Sequence, residues 1–133
     1  MALIVCLFSA CSSGLEEHVL SQYPNGTPMQ IEFYLKNDSL KVPVKEVRYN
    51  LDGEKEHEGT FENGKKHGLW KSWYTNGEKK SEYNFSAGMK NGEFTEWYDN
   101  GNIMFQGSYA NDMPSGRWIF WNIEGKLERE KQY

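Results

Sequence analysis

Cysteine, proline, long apolar runs and blocks of like charge are all scarce in this sequence of 133 residues, and each shortage removes a class of protein. Two cysteines, Cys6 and Cys11, cannot build the disulfide framework of a small secreted scaffold or a thiolate cluster for a metal. Acidic and basic residues are interspersed and the formal charge is -4, so the basic footprint of a nucleic-acid binder is missing. The one continuous apolar segment, Met1–Ala10, falls short of the ~20 residues that a membrane-spanning helix needs. Four prolines beside thirteen glycines mark a chain of many short turns. Apolar residues make up 38% and aromatics 15%, so much of the apolar weight is carried by Trp, Tyr and Phe, which favours strands. The length leaves room for one domain with its own core.

The apolar start is instead long enough for a secretory signal, whose core needs about 7 to 15 residues, and small residues follow at Ser9 and Ala10. The stretch Phe8-Ser9-Ala10-Cys11 resembles the lipobox of bacterial lipoproteins, with Phe8 where leucine is usual and no Lys or Arg ahead of the segment. That resemblance implies a signal peptide over residues 1–11, lipidation at Cys11, a short linker over 12–18, and a lipoprotein anchored at the bacterial cell envelope. Cys6 would leave with the signal. The alternative is a short buried strand with two core cysteines in a cytoplasmic protein.

Beyond the start, the sequence repeats. Glycines at Gly53, Gly77, Gly101 and Gly125 are spaced 24 residues apart, and Gly26 stands 27 before the first of them. They close the quartets YPNG, NLDG, YTNG, YDNG and NIEG. Eight positions after each glycine stand Tyr34, Phe61, Phe85, Tyr109 and Tyr133, and four before it stand Gln22, Tyr49, Trp73, Trp97 and Trp121. Seven before it stand Val19, Glu46, Trp70, Phe94 and Trp118, while Gly68, Gly92 and Gly116 open the last three units. Five units follow, at about 19–43, 44–67, 68–91, 92–115 and 116–133, the first two more divergent, as at a capping end.

Each unit reads as a β-hairpin. Asn-Gly or Asp-Gly marks its turn, because the turn requires positive φ that Gly and Asn tolerate, and six-residue stretches such as ENGKKH connect one unit to the next. On the returning strands, Lys79, Ser81, Tyr83 and Phe85 alternate with polar residues, as do Ile103, Phe105, Gly107 and Tyr109, which places each set on one face. Trp70 and Trp73 are three apart and therefore fall on opposite faces. The expected architecture is all-β, a repeat array of antiparallel β-hairpins in one elongated single-layer sheet, with aromatic rings resting on the same column of the neighbouring unit. A lone hairpin is marginal in water, so stacked rings are the natural source of stability, about 1.5 to 3 kcal/mol for each ring fully buried.

The segments GLWKSWYTNG, GEFTEWYDNG and GRWIFWNIEG follow the pattern G-x-W-x-x-W-Y-x-N-G and resemble MORN-type repeats, in particular the bacterial variant found in the YwqK family. Members of that family are commonly labelled antitoxin components of toxin-antitoxin systems. Phe94 departs from the pattern, as do Asn122, Ile123 and Glu124. The resemblance implies a hairpin array that meets partners, with no catalytic residues to carry over.

No constellation in the sequence points to catalysis, a metal or a cofactor. His18, His57 and His67 do not repeat with the units, and Ser72, Ser81 and Ser115 have no nucleophile-elbow context. Lys65-Lys66-His67 and Lys79-Lys80 read as solvated faces or as weak attraction to anionic lipid. The rings Trp73, Tyr74, Trp97, Tyr98 and Trp121 are either core or an exposed binding patch. The functional expectation is a non-enzymatic scaffold that holds a protein partner at the envelope, through its sheet or its open edges. The alternatives are an antitoxin or immunity protein that binds a toxin directly, and a glycan or lipid binder.

Overall fold

The computed structural model describes residues 14–133, so the signal peptide and Cys11 inferred from the sequence lie outside the described residues. Ten strands follow one another: β1 (Leu15–Gln22), β2 (Pro28–Leu35), β3 (Pro43–Tyr49), β4 (Lys55–Glu62), β5 (Lys65–Trp73), β6 (Lys79–Ser86), β7 (Met89–Trp97), β8 (Ile103–Ala110), β9 (Met113–Trp121) and β10 (Leu127–Gln132). They pair in chain order as one open antiparallel sheet, which is the hairpin array expected from the repeat. Residues 15–18, read as the end of a linker, are already strand.

The two kinds of turn are arranged opposite to the sequence expectation. At the turns of the five quartets only the glycine is left-handed: Gly77 has φ 84° and donates its N–H to the Tyr74 carbonyl at 3.0 Å. Asn76 serves through its side chain instead, accepting from the Glu78 N–H at 3.0 Å and donating to the Asp99 carbonyl of the next turn at 2.7 Å. Asn100 reaches Ile123 and Asn25 reaches Leu51 in the same manner. The turns in which both residues are left-handed, at Asn63-Gly64, Ala87-Gly88 and Asn111-Asp112, lie in the connections between units. Those connections are therefore two-residue turns closed by Glu62↔Lys65, Ser86↔Met89 and Ala110↔Met113, with strand on both sides.

Every returning strand carries an extra residue three places after its turn glycine, at Met29, Glu56, Lys80, Met104 and Glu128. Such a bulge shifts the side-chain alternation at that point. Lys79 pairs with Trp73 while Ser81 pairs with Ser72, so Lys79 lies on the face opposite Ser81. Ile103, paired with Trp97, is likewise separated from Phe105. The sequence assignment of Lys79 and Ile103 to the same face as the other members of their sets is corrected accordingly.

Two rows run across the whole sheet, one on each face. The first passes from His18 through Glu32, Glu46, Gly59, Trp70, Tyr83, Phe94, Gly107 and Trp118 to Lys131. The second passes from Val19 through Ile31, Val47, Glu58, Lys71, Glu82, Thr95, Gln106 and Ile119 to Glu130. Buried apolar residues occupy the second row at Ile31 and Val47 and the first row at Trp70, Phe94 and Trp118, so the core changes face between the second and third units. Glycine counting aligns Val19 with Trp70, but Val19 falls in the other row, because an extra residue at Leu20 shifts β1 against β2.

Candidate functional site

The first row sets the geometry of a face on which aromatic rings and charge converge. Trp70 lies flat against Gly59, where an added Cβ would meet the ring at 2.1 Å, and Trp118 lies against Gly107, where it would do so at 2.3 Å. Between them the small residue is replaced by Tyr83 and the tryptophan by Phe94, and these two rings stack at 4.3 Å. Each of these three joins thus pairs a residue with one of complementary size. Both indole N–H groups find carbonyls across the strand, Thr60 at 3.0 Å and Ser108 at 3.2 Å. Phe61 and Phe85 meet Trp70 edge-on, and Tyr109 and Tyr133 meet Trp118 in the same way. Trp70, Phe94 and Trp118, with Phe85 and Tyr109 beside them, are core rings.

Trp73, Trp97 and Trp121 alternate to the opposite face and remain half-buried. The Tyr74 hydroxyl donates to the Trp97 carbonyl at 2.8 Å and the Tyr98 hydroxyl to the Trp121 carbonyl at 3.0 Å, so these tyrosines tie one turn to the next. Asn122 takes the tyrosine position in the fifth unit and accepts from the Glu124 and Lys126 N–H groups within its own turn.

Above the first row, β4 to β7 enclose a hollow of about 290 Å³ lined by His57, Lys66, Ser72, Ser81, Tyr83, Lys90, Glu96 and neighbouring residues. Its floor is aromatic. The Lys66 ammonium sits 3.9 Å from the centre of the Trp70 ring, and that of Lys90 lies 4.4 Å from the centre of the Tyr83 ring. Ser72 and Ser81 are buried and share a hydrogen bond of 2.6 Å, which leaves one hydroxyl proton of the pair free to donate. Burial lowers the pKa of Lys66 and of His57 and raises that of Glu96. This cluster is hidden in the sequence, because its members come from four strands. The available signal was parity, since Lys66 and Ser72 alternate in step with Trp70, and Glu96 with Phe94.

His57 belongs to β4 as expected, while His67 lies inside β5, its Nδ1 3.3 Å from a Glu62 carboxylate oxygen. Among the described residues, no group of His, Cys, Asp and Glu has the arrangement of a metal site. The two serines bond each other; His57 stands opposite Ser72 and Glu96 opposite Ser81, but among the described residues neither base makes a hydrogen bond to a serine, as an activated nucleophile would require.

Burial, followed by the nearby Glu96 carboxylate, pushes the Tyr83 phenol up to about 12. A phenol whose folded pKa exceeds its unfolded value of ~10 contributes stability that is whole below pH ~10 and is lost as pH rises through about 12. In a spectrophotometric titration, one tyrosine should ionise last, and Tyr83→Phe should delete that phase. Ionisation of every tyrosine together near pH ~10 in the folded protein would contradict the burial of this ring.

A family model described as a MORN repeat variant matches residues 66–87 and 90–111, the third and fourth units. A search of curated proteins finds no match. Among solved structures, the chain is similar to the Glycosylation Associate Protein (Gap123) complex from Streptococcus agalactiae, at 13% identity and a TM-score of 0.49, over 82% of this chain. It spans 19% of that chain's length. The protein is a repeat protein with MORN-type units at its third and fourth hairpins.

Proposed function

We propose that this chain is a non-enzymatic binding module that holds a protein partner on the face of Trp70, Tyr83 and Phe94, and that Cys11 anchors it at the bacterial envelope. The observation that carries the docking reading is the hollow over β4 to β7, where cations and hydroxyls stand on an aromatic floor. Such a combination is typical of recognition surfaces, in which aromatic anchors supply area and a few polar groups supply orientation. The resemblance of Phe8–Cys11 to a lipobox supports the anchor. An antitoxin or immunity role is the same act of binding with a toxin as the partner.

The test places a photo-crosslinking amino acid at Lys90 on the docking face, and at Glu82 on the other face, in the natively expressed protein. A discrete adduct from position 90 and none from position 82 is the expected result. Adducts from both positions, or from neither, would remove the docking reading. Intact mass of the same preparation beside Cys11→Ser decides the anchor: a diacylated Cys11 in the membrane fraction supports it, and a chain still carrying residues 1–10 refutes it.

A further inference from the structure

Resting on that docking face, we propose that the partner element it receives is an acidic segment of a protein, with carboxylates seated among Lys66, Lys80 and Lys90. Charge is segregated along the array. Residues 65–90 carry six lysines against Glu78 and Glu82, whereas the chain as a whole has a formal charge of -4. Within this basic unit the lysines differ in what they face. Lys79 is paired to Glu82 at 2.7 Å on the opposite face, but Lys66, Lys80 and Lys90 form no ion pair among the described residues.

Each of the three is instead held over a ring, Lys66 at 3.9 Å from Trp70, Lys90 at 4.4 Å from Tyr83 and Lys80 at 5.5 Å from Tyr74. A ring occupies one side of an ammonium and leaves its other protons for an acceptor. The remaining titratable groups facing the hollow are His57, Lys71, Tyr83 and Glu96. Glu96 is the one carboxyl in the lining, where it stands against four lysines, Lys66, Lys71, Lys80 and Lys90. The Ser72–Ser81 pair adds a hydroxyl donor beneath the lysines.

The surroundings select the size of the anion. Residues 14–64 carry ten acidic residues against five basic ones, and residues 91–133 carry seven against four. A broad anionic sheet such as a bilayer would meet repulsion on both flanks of the basic unit. A short acidic segment feels mainly the unit it touches, because charges beyond a Debye length of ~8 Å are largely screened. A side chain projecting from a partner also reaches ammonium groups that are drawn back over rings in a hollow.

The probe is fluorescent hexaglutamate, titrated into the full chain at low ionic strength and followed by anisotropy. Lys66→Gln with Lys90→Gln should weaken binding about tenfold, and added salt should weaken it in the wild type. Lys41→Gln with Lys55→Gln makes the same change in net charge away from the hollow and should alter binding less than about twofold. Equal losses in the two double variants, or no binding to the wild type, would overturn the proposal. So would phosphatidylglycerol vesicles that bind through Lys66 and Lys90 while hexaglutamate does not. Should the double variant melt early, Lys90→Gln alone is read by the same criteria. A crosslinked adduct at position 90 without affinity for hexaglutamate would retire the acidic segment and leave the docking face standing. Affinity for hexaglutamate without any adduct would retire the docking face instead.

Discussion

Gly107→Ala should destabilise the protein by about 3 kcal/mol, lowering the melting temperature by on the order of 10 °C. The added Cβ would stand 2.3 Å from the Trp118 ring, a separation that real side chains do not reach, and the obstacle is a rigid indole fixed on both sides. Tyr109 and Tyr133 hold its edges, and its N–H is committed to the Ser108 carbonyl. Moving the ring therefore exposes apolar surface and breaks a hydrogen bond together. The fourth unit indicates the remedy. Gly107→Tyr should be worse than Gly107→Ala, and Gly107→Tyr combined with Trp118→Phe should recover much of the loss by reproducing the Tyr83–Phe94 stack. Such a cycle measures coupling between two contacting residues directly. A Gly107→Ala protein that melts with the wild type would mean that Trp118 does not lie on this glycine.

Phe94→Ala should cost about 3 to 5 kcal/mol, the range for an aromatic ring removed from a packed interior. Phe94 is 2% exposed and touches Tyr83, Phe105, Tyr109 and Trp118, so it joins three successive strands around its own. Trp97→Ala, in the same strand, removes a larger side chain from a half-buried position whose visible partner is the Lys79 ammonium at 5.0 Å. Its cost should be about half that of Phe94→Ala or less, since solvent already reaches the ring. Urea melts of the two variants decide the order. If Trp97→Ala proves the more damaging, the core lies on the other face of the third and fourth units. In a quasi-one-dimensional array the Phe94 change should also weaken coupling between the halves and broaden the transition.

The fold was legible because its signal recurs. One aromatic eight places after a turn glycine says little, but five in register define a period, and the turn chemistry at each glycine makes the period a hairpin. What stayed hidden depends on a single extra residue. The bulge at Lys80 moves Lys79 across the sheet, and that at Met104 does the same to Ile103, changes that period-two reading cannot detect. The assignment of turn types failed for a related reason. Asn76 and Asn100 suit a left-handed turn by propensity, but here their amides are occupied with the carbonyls of the next unit, a contact that exists only once the units are stacked. The weak resemblance of the first two units acquires a physical cause in Ile31 and Val47, which bury the reverse face and leave Glu46 where the later units place a ring. The hollow was the least legible feature, since its residues become neighbours through pairing across four strands.

The size matching at the joins also constrains how such a chain can lengthen. The third unit presents Trp70 to the unit before it and Tyr83 to the unit after, whereas the fourth presents Phe94 backward and Gly107 forward. Copying the third unit alone would set a tyrosine against a tryptophan, and copying the fourth alone would leave a gap between a glycine and a phenylalanine. Copying the two together brings glycine against tryptophan at the new junction and preserves every fit. The array therefore has a grammar of two words, and gene duplication can extend it without mismatch only by adding them as a phrase.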